Sequence, residues 1–127
     1  MLTFLHAADF HLDSPFHALP PEQAAERRQE QRQLLTRLAD TARQAQVDLV
    51  FLAGDLFDGQ RARPETVQAL YQVLEELEAE VFLSPGNHDP YGPRSVYAGT
   101  VWPDNVHIFT SVQPEGVELP ELNCVVH

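Results

Sequence analysis

The chain has 127 residues, 43% of them hydrophobic and 21% charged, which suits one globular domain and leaves little room for two. Eight cations, all arginine, against 19 carboxylates give a net charge of −11, so no broad basic face is available to hold a polyanion, and an anionic substrate needs local attraction by a bound cation or a few arginines. The single cysteine, Cys124, excludes an internal disulfide and a Cys-rich zinc site, no stretch reaches the roughly 18 apolar residues of a membrane span, and Met1–Phe10 carries no basic leader; together these read as a cytoplasmic protein without a membrane partner.

Leu2–Ala8 is a short, mostly apolar run of strand length. After Pro20-Pro21, the stretch Glu22–Gln46 is rich in Ala, Glu, Gln, Arg and Leu and is predicted to be helical. Its apolar positions Leu34, Leu35, Leu38, Ala42 and Ala45 recur at helical spacing only in the second half. The first half, with little but Ala24 and Ala25 to bury, is expected to project into solvent or against a partner. Val47–Ala53 is a second strand. Pro64–Glu78 is a second helix, opened by a proline and striped by Val67, Leu70, Tyr71, Leu74 and Leu77. Val81–Ser84, Val106–Thr110 and Leu122–Val126 complete the strands, and Pro85–Pro103 is a Gly/Pro-rich loop long enough to suspect a function. Strand and helix alternating in this order predict an α/β fold, a mostly parallel sheet with flanking helices and right-handed crossovers, whose functional groups gather at the carboxyl ends of the strands.

Three polar motifs sit where that rule places function. Asp9-Phe10-His11 follows the first strand, Gly54-Asp55-Leu56-Phe57-Asp58 the second, and Gly86-Asn87-His88-Asp89 the third. Singly, the first is a common pair and the second a common capping turn; the third sets three ligands or catalysts behind a glycine that permits a sharp turn. Jointly they bring carboxylate, imidazole and amide oxygen to one sheet edge. That donor mix suits Mn²⁺, Fe²⁺ or Zn²⁺, whereas Mg²⁺ and Ca²⁺ prefer oxygen alone. Two such ions sharing a bridging carboxylate can clamp a phosphate and activate water.

The three motifs resemble the first three of the calcineurin-like metallophosphoesterase superfamily. The longer strings His6-Ala-Ala-Asp-Phe-His-Leu-Asp-Ser-Pro-Phe16, Leu52-Ala-Gly-Asp-Leu-Phe-Asp58, Ser84-Pro-Gly-Asn-His-Asp-Pro90 and Trp102-Pro-Asp-Asn-Val-His-Ile-Phe109 are similar to bacterial DNA repair exonucleases of the SbcD type, in their YhaO-like branch. The resemblance implies the amino-terminal part of a four-layer αββα fold and a two-metal hydrolysis of phosphodiester bonds in DNA. It makes Asp9 and His11 ligands of the first metal, Asp55 the bridge, Asn87 a ligand of the second and His88 the catalytic histidine that protonates the leaving oxygen. Asp58 and Asp89 are then candidates to orient a histidine by accepting its other N–H. It also implies an SMC-like coiled-coil ATPase partner and pairing of the parent as a homodimer. Arg61, Arg63 and Arg94 are candidate phosphate contacts, with ordinary exposed arginines as the plainer reading. Asp13 and His17 are expected to be solvated, Asp13 with the option of orienting a metal ligand, and His6 to pack beside the site.

The family completes its two metal sites with later histidines, including a Gly-His-x-His string, and this chain has none; after Asp89 only His107 and His127 remain, both within strand-like runs. Because the chain also stops inside the run Leu122–His127, residues 1–127 read as the amino-terminal portion of a single nuclease domain cut from a longer protein, binding metal weakly and inactive alone. Composition leaves three classes open: a DNA phosphodiesterase, a two-metal phosphoesterase on a small nucleotide or phosphoprotein, and a non-catalytic interaction unit.

Overall fold

The computed structural model describes residues 1–127. Strands β1 (Phe4–Ala7), β2 (Leu49–Ala53), β3 (Glu80–Ser84) and β4 (Val106–Ile108) form one sheet in chain order, every pair parallel. Helices α1 (Pro21–Gln44) and α2 (Pro64–Glu75) fill the first two crossovers, and a one-turn helix α3 (Val96–Gly99) lies in the third. Every crossover steps in the same direction, so crossovers of one hand place their helices on one face. That face is the main core: Leu35, Leu38 and Ala42 of α1 and Leu70 and Leu74 of α2 close over Val50, Leu52, Val81 and Leu83. The α/β architecture expected from the alternating pattern is therefore present. No helix is long and apolar enough to cross a membrane.

Strand alternation sends the other residues to the opposite face. His6, Phe51, Phe82 and His107 are register partners in one row across the four strands. The rings of Phe51 and Phe82 lie 5.8 Å apart, and His107 stacks on Phe82 at 5.1 Å. A hairpin of β5 (Val117–Leu119) and β6 (Cys124–Val126) covers part of this row, setting Leu119 and Val126 against Leu49 and Phe82. The expected strand Leu122–Val126 is thus shorter, and it pairs antiparallel with a segment that carries no strand signal of its own. Pro120, lacking an N–H, opens a 3₁₀ turn over Pro120–Leu122, and Asn123 at φ 50 reverses the chain, so pairing begins only at Cys124.

The two long helices differ in what anchors them. In α1 the buried residues are Ala24, Leu35, Leu38, Ala39 and Ala42. Its first half is mostly exposed, as composition predicts, and is tethered to the loop after β1 at two points: Gln31 Nε2 donates to His11 O at 2.8 Å and Arg28 to Pro15 O at 3.3 Å. The carboxyl end of α2 is closed by Asn105, whose Nδ2 reaches the carbonyls of Leu74, Leu77 and Ala79 at 3.0 to 3.1 Å. Leu74 O also accepts from Leu77 N at 3.3 Å, so Asn105 adds a second donor there and ties in two carbonyls of the segment that follows the helix.

Two loops at the carboxyl edge interlock. A Cβ on Gly86 would overlap the backbone nitrogen and carboxylate of Asp55, so only glycine lets the loop after β3 lie this close to the loop after β2. Asp89 then turns into the core, 1% exposed, and its carboxylate accepts from Gly86 N at 2.7 Å, from Phe57 N at 3.0 Å and from the Tyr97 hydroxyl. Burial first, then the hydrogen bond to Asp89, pushes the Tyr97 phenol well above its ordinary value, so it stays a neutral donor at physiological pH.

Gly86→Ala is expected to cost about 1–3 kcal/mol, the usual penalty of overpacking, whereas Gly92→Ala, with open space around it, is expected to be near neutral; chemical unfolding of both variants measures the difference. The Tyr97 pKa, raised in the folded state, makes a second prediction. A folded pKa above the unfolded value of about 10 contributes fully below that pH and is lost as pH rises beyond it, at up to about 1.4 kcal/mol per pH unit. With no lysine in the chain, no ammonium side chain titrates in that interval. Unfolding midpoints are therefore expected to fall above about pH 10, and Tyr97→Phe, less stable near neutrality, is expected to show a flatter alkaline limb.

Candidate metal centre

All three motifs leave the same sheet edge, because β1, β2 and β3 are parallel and each motif follows its strand by a residue or two. Backbone bonds continue the ladder past the strand ends: Asp9 N donates to Gly54 O at 3.1 Å, His11 N to Asp55 O at 3.0 Å, and Gly54 N to Ser84 O at 2.8 Å. The turns are tight. Asp9, His11, Asp13, Phe16 and Asp55 all have φ between 48 and 64, so five of the seven non-glycine residues in the left-handed region belong to these loops. Such conformations cost on the order of 1–3 kcal/mol each and persist only where surrounding contacts hold them.

The side chains converge accordingly. Donor atoms of Asp9, His11 and Asp55 lie within 4.8 Å of one another, as do those of His11, Asp58 and His88, and His11 belongs to both groups. His11 Nδ1 is 3.0 Å from Asp58 Oδ1, a hydrogen-bond distance. A ring donating Nδ1–H there turns its Nε2 lone pair to Asp9 Oδ1 and Asp55 Oδ2, each 4.0 Å away. Those three atoms form an uncommitted O/N/O set, and their spacing leaves room for a cation between them. His88 stands edge-on to His11 at 4.9 Å between ring centroids, with Nδ1 3.5 Å from Asp58, while its backbone N donates to Asp55 Oδ1 at 2.8 Å. Asn87 is exposed on the same turn, between Gly86 and His88. Its side chain makes no hydrogen bond.

Two expectations need correction. Asp89 orients no histidine; its carboxylate is taken up by Gly86 N, Phe57 N and Tyr97, which makes it a tie between loops. Asp13 is not solvated: its side chain is 8% exposed and accepts from Arg63 N at 2.6 Å and Thr66 Oγ1 at 2.7 Å, with Arg32 at 4.0 Å. The residue before Pro64 is arginine, which cannot cap its own helix, and Asp13 supplies that cap from fifty residues away. An uncapped Pro-Glu-Thr helix start was the available signal. Gln31, which together with Ser14 holds the carbonyl of His11, gave no sequence signal at all.

Arg61, Arg63 and Arg94 are exposed on the loops after β2 and β3 and enter no ion pair. His6 and His107 belong to the aromatic row. A cavity of about 470 Å³ opens beneath the hairpin on the face away from the helices, lined by His6, Phe51, Phe82, Phe109 and His127, and contains none of the motif carboxylates. The metal-like cluster is instead an open shelf, with the side chain of Asp9 71% exposed and that of Asp55 11%.

Residues 2–122 match the calcineurin-like phosphoesterase family. The chain is 39% identical over 120 residues to the uncharacterized metallophosphoesterase YhaO of Bacillus subtilis (strain 168), an alignment covering 90% of this chain and 29% of that protein. It is 28% identical over 123 residues to one of the subunits of the nuclease SbcCD of Staphylococcus epidermidis, covering 94% and 31% respectively. It is 36% identical over 90 residues to the DNA double-strand break repair protein Mre11 of Methanopyrus kandleri, covering 66% and 18%. The chain spans less than a third of the length of these relatives. With a parallel sheet that gathers Asp9, His11, Asp55 and His88 on one edge, and a family match across nearly its whole length, the chain belongs to the calcineurin-like phosphoesterase family.

Proposed function

We propose that the centre is the amino-terminal part of a two-metal phosphodiesterase site that cleaves DNA, residues 1–127 being the first portion of a single nuclease domain. The observation that carries the metal reading is the uncommitted Asp9–His11–Asp55 set, whose oxygen and nitrogen donors converge while Asp58 holds the other side of the histidine ring. Mixed O/N donors favour Mn²⁺, with Fe²⁺ or Zn²⁺ as competitors. Asp9 and His11 would hold the first ion, with Asp55 as a ligand common to both and Asn87 as the contribution of the third motif to the second. Bound there, the ions would supply a Lewis acid for the phosphate and would lower the pKa of a water so that hydroxide is available as the nucleophile near neutrality.

The remaining roles fall to the protein. Asp55, nearly buried and fixed through Oδ1 by His88 N, keeps Oδ2 directed to the cluster. Asp58 fixes the tautomer of His11 and, 3.5 Å from His88 Nδ1, lets the half-exposed His88 present its Nε2 to solvent and substrate as a proton donor to the leaving oxygen. Arg61, Arg63 and Arg94, exposed on the loops after β2 and β3, are the candidate phosphate contacts in a chain whose net charge of −11 otherwise repels an anion. The choice of DNA is supported by the nuclease and break-repair names of two relatives; a small nucleotide or a phosphoprotein is the rival substrate, and assays on all three substrates separate them. A relative named as part of a larger nuclease supports work within an assembly, for which we propose an SMC-like coiled-coil ATPase and a homodimer of the parent, in the cytoplasm.

In the full-length protein, His88→Ala is expected to leave metal content nearly intact while activity on DNA falls by about 10²–10⁴-fold, the usual contribution of a general acid. Asp55→Ala removes a carboxylate both ions share and the charge that offsets their repulsion, and is expected to empty the site as well as abolish activity. Elemental analysis beside a nuclease assay decides. Equal metal depletion in the two variants would make His88 a ligand, and full activity in His88→Ala would remove its catalytic role.

A further inference from the structure

The long loop between β3 and β4 is the one sequence feature whose purpose the metal reading leaves open. Inside it, α3 is built with care for so short an element. Ser95 Oγ donates to Gly92 O at 2.8 Å and accepts from Gly92 N at 3.2 Å and Ala98 N at 3.3 Å. Trp102 Nε1 donates to Tyr97 O at 3.0 Å. These bonds fix the backbone around Tyr97, the buried residue of α3, 3% exposed, whose ring meets Phe57 edge-on at 5.8 Å and lies 6.3 Å from Trp102. Its hydroxyl ends on Asp89.

We propose that Tyr97 is a positioning residue, a brace that acts through Asp89 to set the spacing between the loop carrying Asp55 and the loop carrying Asn87 and His88. The inference rests on the metal reading for its functional consequence. Asp89 joins three segments: Phe57 N from the loop after β2, Gly86 N from the loop after β3, and the Tyr97 hydroxyl from α3. The first two donors are backbone groups beside the motif residues, and Tyr97 is the one side-chain donor, brought back from the α3 turn eight residues further along the loop after β3. Without its hydroxyl, a buried carboxylate keeps only two of its three donors, and relief lies in moving toward water, which carries the Gly86 turn with it. The effect is selective by construction. Asp9 and His11 are tied to the β2 loop by bonds to Gly54 O and Asp55 O, and neither bond involves Asp89. Tyr97 therefore acts first on the distance from Asp55 to Asn87 and His88, and reaches the Asp9–His11–Asp55 set only through the bond from His88 N to Asp55 Oδ1.

The test compares the full-length protein with Tyr97→Phe, which keeps the ring, and with Tyr91→Phe, an exposed tyrosine of the same loop, as control. Amide hydrogen exchange is expected to accelerate about tenfold or more at Gly86, Phe57 and His88 in Tyr97→Phe, with the β2–β3 ladder unchanged and the control like the parent. In Mn²⁺ titrations the position spanning Asp55 and Asn87 is expected to weaken about 10- to 100-fold, the range seen when a partner behind a metal ligand is lost, while the Asp9–His11–Asp55 position changes less than about threefold. Unchanged exchange at the three amides, exchange rising equally throughout both sheets, or equal weakening of both positions would overturn the brace. If the unsubstituted protein binds no Mn²⁺, the metal reading fails on its own, and the exchange data still decide whether Tyr97 holds the loops.

Discussion

The site depends on the contact between Gly86 and Asp55. Because residue 86 has no side chain, the loop after β3 lies directly on the loop after β2, and His88 N can reach Asp55 while Asp89 turns inward to Phe57. Any Cβ at that point separates the loops and, with them, the Asp55 carboxylate from His88. The parallel sheet supplies the shared edge; this one close approach converts a shared edge into a shared cluster. Much of the remaining local structure, from the positive φ of Asp55 to the capped turn that delivers Tyr97, serves to hold the approach in place.

Five aspartates lie in or beside the three loops, and their surroundings sort them into two kinds. Asp13 and Asp89 have their oxygens occupied by N–H and O–H donors and behave as caps and ties. Asp9 and the Oδ2 atom of Asp55 have no such donor, stand 4.0 Å from a histidine nitrogen, and face one another across a half-open shelf. Carboxylates brought together without donors repel, and the repulsion is relieved by a cation. Asp58 belongs between the two kinds, committed to His11 and close to His88. In a chain this acidic, the local pattern of satisfied and unsatisfied oxygens separates a metal-like cluster from ordinary surface charge far better than the total does.

The two faces of the sheet carry different burdens. The helical face is a closed aliphatic core around Val50, Leu52, Val81 and Leu83, and it gives the strands their fixed register. The other face is an aromatic row partly covered by the β5–β6 hairpin, with Phe4 left 60% exposed. Histidines occur on both the site edge and the aromatic face, but their environments differ. His11 is bound to a carboxylate on a strained turn, whereas His107 stacks on Phe82 beside Glu80.

Periodicity alone determined the α/β alternation, the parallel order and the edge to which the three motifs come, because apolar runs of strand length and helices of 3.6 periodicity admit few other layouts. The residue types in those motifs pointed to a metal and a phosphate, and the longer strings to the family. Tertiary structure decided what each aspartate does, since Asp13, Asp58 and Asp89 are alike in sequence and differ only in which donors distant segments bring to them. The cap on α2 comes from fifty residues away, the support of the His11 carbonyl from Gln31 on a helix that looked solvent-facing, and the third donor to Asp89 from a loop that looked irregular. Such contacts follow from the close approach of chain segments far apart in sequence, and no local pattern encodes which donor will meet which carboxylate.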